Sequence, residues 1–323
     1  MYPLNRNRRL RSKESLRNLI RESTIHPHDF IAPLFLVEGK NIKEEISSMP
    51  DYYRYSLDNI GREVKYFWEL GVQAVLLFAK IPENLKDNTG AEALNKDGLM
   101  QRGIKEIRNS VPEITIMTDV ALDPYSNYGH DGIVENNEIL NDKTNEILSK
   151  MALSHAMAGA DVIAPSDMMD GRVLSIRNTL EKNGFHNTAI MSYTAKYASS
   201  FYGPFREALD SKPGFGDKKT YQMDFRNSDE AIREIALDIK EGADMVMVKP
   251  GMPYLDIIKS IKEKFKIPVF AYQVSGEYSL LSNAVQKKII SKDAIFESLI
   301  AFKRAGANAI VSYYADRLDK IIK

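Results

Sequence analysis

The chain has 323 residues, 44% of them hydrophobic and 27% charged, and its 44 basic side chains equal its 44 acidic ones in number. This composition is typical of a soluble globular enzyme, and the zero net charge gives no reason to expect a nucleic acid or an anionic membrane as partner. Cysteine is absent, which excludes disulfides, thiolate nucleophiles and cysteine-ligated zinc or iron–sulfur centres.

The N-terminal segment, residues 1–28, is polar and basic, with four arginines and one lysine between residues 6 and 13. It has no apolar centre, so it is not a secretory signal, and no apolar run in the chain approaches the roughly 18 residues of a membrane-spanning helix. We therefore expect a cytoplasmic protein. The segment, with a short helix near Leu16–Arg21, is either a solvated tail or an arm that grips a neighbouring subunit. Its charge alone favours the tail.

Eight apolar runs follow, and most are separated by amphipathic segments with helical spacing. The predicted strands are Phe30–Val37, Ala74–Lys80, Ile114–Val120, Asp161–Ser166, Ala189–Thr194, Met245–Val248, Pro268–Val274 and Ala309–Tyr313. The predicted helices include Leu57–Leu70, Glu135–Ala158, Asp229–Glu241 and Asp293–Ala305.

Glycines mark the helix exits: Gly71, Gly159, Gly242 and Gly306 each follow a predicted helix and precede a predicted strand. This is typical of a C-cap glycine in a short loop between a helix and a strand. Alternating strands and helices indicate parallel β-α units, and eight of them favour a closed (β/α)8 barrel. An open doubly wound sheet is the alternative, but no Gly-x-Gly-x-x-Gly follows any strand to support it.

In such a barrel the chemistry belongs at the carboxyl ends of the strands. Six predicted strand ends carry polar groups there. In chain order these groups are Asp119, Ser166 with Asp167 and Asp170, Lys196, Lys249, Ser275 with Glu277, and Tyr313. Each could be a helix cap or a solvated loop residue, and N-capping is the simplest interpretation of Ser166, Asp167 and Asp170 taken singly. The coincidence at six ends favours one site.

Lys249 ends the apolar strand Met245–Val248 and is followed by Pro250, Gly251 and Pro253, which cannot extend the strand. A rigid turn thus leaves a primary amine at the mouth of a hydrophobic element. Desolvation lowers the pKa of such an amine and makes it a nucleophile toward carbonyl groups. A lysine that extends from a strand end to water is an equally good interpretation of this feature alone.

Lys196 ends the preceding strand, and neighbouring strands lie about 4.8 Å apart, so the two amines should converge. Two like charges at that distance lower the pKa of at least one amine, which favours Schiff-base chemistry. The alternative, two lysines that bind an anion such as phosphate, is weaker because phosphate-binding barrels place the anion near the last two strands.

A long connection, residues 197–222, is rich in glycine, proline, aromatic and basic residues. Long ordered loops in compact domains are usually lids or binding loops. Arg206, Lys218 and Lys219 suit a substrate that bears a carboxylate. A mobile surface excursion is the alternative, and a lid is favoured.

Five segments resemble those of the porphobilinogen synthase (δ-aminolevulinate dehydratase) family: Ala164–Arg172, Ser192–Lys196, Phe201–Arg206, Met247–Gly251 and Val274–Glu277. The likeness runs from about residue 30 to the C-terminus in one order. It implies a (β/α)8 barrel that condenses two 5-aminolevulinates into porphobilinogen with loss of two waters, in tetrapyrrole (heme) synthesis. Residues 1–28 would then be an arm and residues 29–323 the catalytic domain.

The resemblance also implies roles for single residues. Lys249 would anchor the first substrate as a Schiff base, and Lys196 would hold the second in the same way. The substrate-binding positions would be Arg206, Lys218 and Gln222 for one carboxylate, Ser275 and Tyr313 for the other, and Asp119, Ser166 and Asp167 for amino groups and protons.

The chain departs from the family pattern at two places. Many members have arginine where this chain has Lys218. A lysine cannot form the planar bidentate pair of hydrogen bonds that an arginine forms with a carboxylate. Zinc-dependent members have three cysteines at the positions of Ala121, Asp123 and Asp131. Carboxylates suit magnesium or no metal, so the chain resembles the zinc-independent branch. A catalytic magnesium at Asp119, Asp123 and Asp131 is less favoured than contacts of these aspartates with the substrate amine.

Many bacterial and plant members hold an allosteric magnesium at a subunit interface, and the matching position is Glu234. From the residues alone, a solvated helix face would explain this glutamate. Members also assemble as homo-octamers in which N-terminal arms wrap a neighbour, so the resemblance favours an arm over a tail at residues 1–28. A Schiff-base aldolase with one reactive lysine and a catalytically silent barrel are the other hypotheses.

Overall fold

The computed structural model describes residues 1–211 and 213–322, and its centre is a closed barrel of eight parallel strands. Strand β12 pairs with β1 through Phe30↔Ile310 and Ile31↔Val311, which closes the barrel in the order β1-β4-β5-β8-β9-β10-β11-β12. The predicted (β/α)8 fold is confirmed. The strands in chain order are β1 (Phe30–Val37), β2 (Lys43–Glu45), β3 (Tyr53–Ser56), β4 (Ala74–Lys80), β5 (Thr115–Val120), β6 (Val134–Glu135), β7 (Glu138–Ile139), β8 (Val162–Pro165), β9 (Ala189–Lys196), β10 (Met245–Lys249), β11 (Val269–Gln273) and β12 (Ala309–Ser312).

Amphipathic helices follow most barrel strands and bury their apolar faces; in α2, for example, Ile60, Val64 and Phe67 are buried. The helices are α1 (Glu14–Leu19), α2 (Leu57–Glu69), α3 (Leu99–Ser110), α4 (Asn141–Ala158), α5 (Arg172–Lys182), α6 (Gly203–Leu209), α7 (Asp229–Glu241), α8 (Leu255–Lys264), α9 (Ser275–Gln286), α10 (Asp293–Ala305) and α11 (Leu318–Ile321). The predicted capping glycines are confirmed at Gly159, Gly242 and Gly306, which are left-handed C-caps.

The barrel strands are buried on both faces; all eight residues of β1, for example, are buried. This is why they read as continuous apolar runs in the sequence rather than as alternating patterns. The two strands with lysines are longer than predicted, since β9 includes Lys196 and β10 includes Lys249. Both amines are therefore fixed by sheet pairing rather than by a following loop.

The predicted helix Glu135–Ala158 was wrong at its start. The helix begins at Asn141, and the residues before it form the small antiparallel hairpin β6–β7. Its turn residues Asn136 and Asn137 have φ angles of 51° and 63°. Asparagine tolerates this left-handed conformation better than most residues, so the Asn-Asn pair favours a tight hairpin turn over a helix.

The hairpin β2–β3 was not predicted from the sequence. Strand β3 runs parallel to the second half of β1, with Phe35 opposite Arg54 and Val37 opposite Ser56, whereas β12 pairs with the first half of β1. The β3 strand therefore takes the place of β12 at the carboxyl end of β1. The hairpin β2–β3 therefore lies at the carboxyl-end mouth of the barrel, beside β1.

The N-terminal residues lie outside the core. The turn Asn7–Arg11 and helix α1 contain no buried residue. The predicted division into residues 1–28 and 29–323 stays a prediction, and residue 323 lies outside the described residues. Within the ranges that the structure describes, no helix is both long and apolar enough to cross a membrane.

Candidate active site

Lys196 and Lys249 lie side by side at the carboxyl ends of β9 and β10, where they are paired in register. Both are almost fully buried, with 6% and 4% of their surface exposed. Buried lysines are rare unless they are paired or functional, because the ammonium ion loses its hydration. The structure thus brings together the two amines that the sequence placed on adjacent strand ends.

Aromatic rings surround the Lys249 amine. Its Nζ lies between 4.6 and 5.4 Å from the ring centres of Tyr193, Tyr202, Phe205 and Tyr272. Burial is the main cause that lowers the pKa of Lys249 to about 7, and the neighbouring charge of Lys196 lowers it further, against the attraction of nearby aspartates. A substantial fraction of this amine is therefore neutral, and nucleophilic, near pH 7.

Asp131 bridges the second lysine to the lid. One oxygen of its carboxylate accepts a hydrogen bond from Lys196 Nζ at 2.9 Å, and the other accepts one from Lys218 Nζ at 2.5 Å. Burial alone would raise the pKa of Asp131, but the two ammonium groups outweigh it and lower the pKa to about 2. Lys196 also donates to the backbone carbonyl of Ser166, so its amine is held by two acceptors.

Lys218 is held by two aspartates, since its Nζ also lies 3.4 Å from Asp123. Burial lowers the pKa of Lys218, but the charges of Asp123 and Asp131 overcome this and raise it. Asp123 and Asp131 both come from the loop after β5, and Lys218 comes from the long connection after β9. These ion pairs therefore join the two loops across the mouth of the barrel.

Buried polar atoms at the site that have no hydrogen-bond partner in the described part of the chain include Asp119 Oδ1, Ser211 Oγ and Gln222 Oε1. Buried polar atoms are normally paired, so unpaired ones at a cavity indicate a ligand. Burial raises the pKa of Asp119, whereas the Lys249 ammonium lowers it, and the rise prevails. Asp119 can therefore hold or release a proton near neutral pH.

Asp167 lies behind the lysine pair in a buried network. Its Oδ1 accepts from the Met169 backbone N–H at 2.7 Å and lies 4.0 Å from Arg172 Nε. Burial raises the pKa of Asp167 to about 6, although Arg172 lowers it. Neither Asp167 nor Asp170 is the N-cap of α5, since Gly171 holds that position. The capping interpretation of both aspartates was wrong.

The predicted lid forms the short helix α6, which lies over the lysines. A cavity beneath it is lined by Asp123, Lys196, Tyr202, Phe205, Arg206, Ser211, Lys218, Gln222 and Lys249. Its volume is about 20 Å³, enough for roughly one water molecule. The lid is thus closed. Lys212, within the predicted connection 197–222, lies outside the described residues.

Ser275 and Tyr313 do not line this cavity. The Ser275 Oγ accepts a hydrogen bond from the backbone N–H of Phe205 at 2.9 Å, which fastens the lid helix to the start of α9. The Tyr313 hydroxyl lies 2.9 Å from the hydroxyl of Tyr272. Both predicted carboxylate-binding groups are therefore at adjacent strand ends but engaged with protein partners.

Glu234 lies apart from the lysines. It is half-buried on α7 and lines a larger cleft of about 750 Å³ that also contains Glu230, Asp170 and Tyr221. Burial raises the pKa of Glu234, and the nearby acidic groups add to this while Arg172 opposes it. This cleft is acidic and open, and it lacks the lysine pair.

Sequence reasoning missed several contributors. Phe205 lies beside Lys249, and Asp131 lies between two lysines, because particular loops meet across the mouth of the barrel. The spacing of residues in the sequence does not reveal which loops meet there. The one signal available was the run of aromatic residues at Phe201, Tyr202 and Phe205.

A closed parallel barrel with paired buried amines at its carboxyl-end mouth defines the class of barrel enzymes that act on carbonyl compounds through lysine. The family model for delta-aminolevulinic acid dehydratase matches residues 4–321. The chain belongs to this family.

Curated relatives of the same name agree over almost the whole chain. The protein of Methanothermus sociabilis is 51% identical over 98% of both chains, and that of Bacillus subtilis is 48% identical over 96% of both. A crystal structure of the Toxoplasma gondii enzyme in complex with the reaction product porphobilinogen has a TM-score of 0.96 and 48% identity, covering 98% of this chain and 91% of that one.

Proposed function

We propose that the protein is a porphobilinogen synthase, which condenses two molecules of 5-aminolevulinate into porphobilinogen with loss of two waters. The observation that carries this proposal is the pair of buried lysines at adjacent strand ends, in a chain 48% identical to an enzyme solved with this product. The ketone oxygens of the two substrates are the oxygens that leave as water.

The first bond to form joins the Lys249 amine to a substrate, because a substantial fraction of this amine is neutral near pH 7. The neutral amine attacks the ketone carbon of one substrate, the carbonyl electrons move to oxygen, and that oxygen leaves as water with the two amine hydrogens. A Schiff base remains. Asp119, whose pKa burial raises, would carry protons in this step. Lys196, oriented by Asp131 and the Ser166 carbonyl, would hold the second ketone in the same way.

The substrate carboxylates would be held at two places. Arg206 and Lys218, with Gln222, line the cavity and would bind one carboxylate by charge-assisted hydrogen bonds. Ser275 and Tyr313 would bind the other. The Ser275 hydroxyl accepts from Phe205 and keeps its own hydrogen to donate, so it can serve the lid and a carboxylate together.

We propose that catalysis by this protein requires no zinc. The chain has no cysteine, and Asp123 and Asp131 bind Lys218 and Lys196 rather than standing free as ligands. Within the described ranges, no group of three or more histidine, aspartate or glutamate side chains is arranged to hold a metal ion. A catalytic magnesium at Asp119, Asp123 and Asp131 does not fit this arrangement.

An allosteric magnesium at Glu234 fits better, with most of its ligands supplied by water, as this ion prefers. The half-buried Glu234 carboxylate lines the acidic cleft with Glu230 and Asp170, so a cation would relieve their mutual repulsion. Its role there would be to stabilise the assembly rather than to act on substrate.

Assembly as a homo-octamer through N-terminal arms is part of the same proposal. Leu10, Leu19 and Ile20 in the N-terminal segment are exposed, Leu19 by 80%. Large apolar side chains left uncovered on a segment outside the core are typical of a surface that binds another chain.

Borohydride reduction with 5-aminolevulinate, followed by peptide mapping, tests the proposal. We expect a reduced adduct on Lys249, with or without a second adduct on Lys196. In the Lys249→Met variant, we expect no adduct at residue 249. A folded, assembled protein that forms no adduct on either lysine would contradict the mechanism. Turnover to a pyrrole distinguishes this function from that of a single-lysine aldolase.

A further inference from the structure

The lid helix α6 carries two groups into the site. Phe205 lies 4.8 Å from Lys249 Nζ, and Arg206 lines the cavity above both lysines. The helix is short and ends at Asp210, whose φ of 51° is left-handed. The Arg206 carbonyl accepts from the backbone N–H groups of Asp210 and Ser211, whereas the carbonyls of Glu207 and Ala208 at the very end of the helix need other donors.

Arg54 supplies those donors from outside the site. Its Nε donates to the carbonyl of Ala208 at 2.7 Å, and its Nη2 donates to the carbonyl of Glu207 at 2.8 Å. Its Nη1 lies 3.1 Å from the Glu44 carboxylate. Arg54 is only 5% exposed, so these charge-assisted bonds are shielded from water.

The sheet fixes where Arg54 stands. On β3 it is opposite Phe35 of β1 and opposite Glu44 of β2. The Phe35 ring in turn packs against the ring of Phe205 at 5.7 Å. Arg54 and Phe35, which are neighbours on adjacent strands, therefore contact the same helix: Arg54 binds the end of α6, and Phe35 packs against the Phe205 ring that α6 carries into the site.

Lys86 Nζ also donates to the carbonyl of Asp210, just past the end of α6, at 3.0 Å. Lys80 pairs with the Asp210 carboxylate at 2.8 Å, but 28% and 57% of these two side chains are exposed. Exposed ion pairs contribute little because water and salt screen them. Arg54 is the buried side chain that binds two carbonyls within the last turn of the helix itself.

We propose that Arg54 is a positioning residue for the condensation, which holds α6 closed so that Phe205 and Arg206 face the lysine pair. Arg54 does not line the cavity, so it acts through the helix alone. The inference rests on the proposed function and adds a residue remote from the reacting atoms.

Loss of this anchor has two expected effects on the reaction. The lid spends more time open, so water reaches the Lys249 amine and the pKa of that amine rises toward its ordinary value. Arg206 is also less often in place, so the substrate carboxylate is bound more weakly. A residue that merely supports the fold would lower both kcat and stability without moving the pH dependence.

The experiment compares Arg54→Ala and Arg54→Lys with the matched control Arg177→Ala. Arg177 donates to backbone carbonyls of Thr188 and Gly242, where α7 meets β10 at the opposite end of the barrel. We expect Arg54→Ala to raise the KM for 5-aminolevulinate roughly tenfold or more, as for loss of hydrogen bonds to a charged group. We also expect it to move the acid limb of kcat/KM to higher pH. Arg54→Lys should show smaller changes, and Arg177→Ala neither.

Two further measurements separate a failed anchor from a failed fold or a failed function. Added guanidinium ion should restore part of the activity of Arg54→Ala but not of Arg177→Ala. Amide hydrogen exchange within residues 203–209, measured without substrate, should become faster in both Arg54 variants only. A folded Arg54→Ala or Arg54→Lys with unchanged exchange, KM and acid limb would overturn the inference. Failure of the wild type to form a borohydride adduct would instead overturn the proposed function.

Discussion

The nucleophilic character of Lys249 comes from side chains that close over it from different parts of the chain. Tyr193 and Tyr272 come from the barrel, and Phe205 comes from the lid. Their rings exclude water and offer the ammonium ion only weak cation–π attraction in return. The pKa of Lys249 is therefore a property of the closed site, and it should respond to changes in any of these rings.

The pH dependence of turnover tests this dependence on the rings. Because only the neutral amine attacks a ketone, kcat/KM should fall as the pH is lowered through about 7, the pKa of Lys249. Phe205→Ala should admit water and shift this acid limb upward, toward the ordinary lysine pKa of about 10.4. The control is Phe215→Ala, since Phe215 packs against His130 rather than Lys249. If the acid limb of kcat/KM stays at the same pH in Phe205→Ala, desolvation by this ring is not what lowers the pKa of Lys249.

A second prediction for a single residue concerns the ion pairs of Asp131. Its Asn variant would leave Lys196 and Lys218 buried beside an uncharged group, and we expect the free energy of unfolding to fall by about 3 kcal/mol near pH 7. Because folding lowers the pKa of Asp131 to about 2, the wild type has this stabilisation above the unfolded pKa of roughly 3.9 and loses it as the pH falls toward 2.

Urea denaturation at several pH values checks this sign. The difference between wild type and Asp131→Asn should shrink steadily below pH 4, as the carboxylate of the wild type becomes protonated. Asp97→Asn is the control, because Asp97 is an exposed residue in the loop before α3. A difference that stays constant down to pH 2 would show that the ion pairs are not its source.

Sequence reasoning located the lysines, because a strand end is visible in the sequence as the point where an apolar run stops. The family resemblance also placed Asp123 and Asp131 near the site, but as contacts of the substrate amine. Their pairing with Lys218 depends on how the long connection folds back, over roughly 90 intervening residues, and no periodic pattern encodes that contact. The environment of a side chain is therefore harder to predict than its strand.

At the scale of elements, the lid is held from two sides. The Phe205 backbone N–H binds Ser275 at the start of α9, and the far end of α6 binds Arg54 of β3. Gly276, next to Ser275, lies directly against the base of the lid: a Cβ atom there would come within 2.4 Å of the Phe201 carbonyl oxygen. Backbone cannot give way as a flexible side chain does, so the lid would have to move.

Gly276→Ala should therefore displace the lid from the site, with a KM for 5-aminolevulinate raised several-fold and little change in secondary structure by circular dichroism. Gly203→Ala is the matched control, since Gly203 also belongs to the lid but a Cβ atom there meets nothing within 4 Å. Its KM should stay at the wild-type value. Equal KM values for wild type and Gly276→Ala would contradict this view of the lid.

The elements differ in how well the sequence reports them. Barrel strands such as β1 and β4 were predicted with their observed limits, because burial on both faces demands unbroken apolar runs. The hairpin β2–β3 was missed because Lys43–Glu45 is charged and exposed, and its pairing comes from tertiary context. The start of α4 was wrong because two asparagines form a turn that periodicity does not detect.

At the scale of the whole molecule, the absence of cysteine excludes cysteine-ligated zinc. We expect zinc chelators to leave activity intact, and EDTA to lower it only as far as magnesium stabilises the assembly. Glu234→Ala should behave like the EDTA-treated wild type at every magnesium concentration. Activity and sedimentation, measured together across a magnesium titration, check both statements.

Glu263→Ala is the control for this titration, since the pairing partner of Glu263 among the described residues is Lys259, on the exposed face of α8. It should respond to magnesium as the wild type does. Complete loss of wild-type activity in EDTA, with the assembly intact, would contradict a purely allosteric metal.

A chamber that holds about one water molecule also limits the speed of the enzyme. Two ketone substrates must come in and one pyrrole must leave, and none of them passes while α6 stays closed. Every catalytic cycle therefore includes at least one opening of the lid, and the frequency of that opening is the ceiling on kcat, however fast the bonds are made. Solvent viscosity would then slow turnover even though it leaves the chemistry of the lysines unchanged.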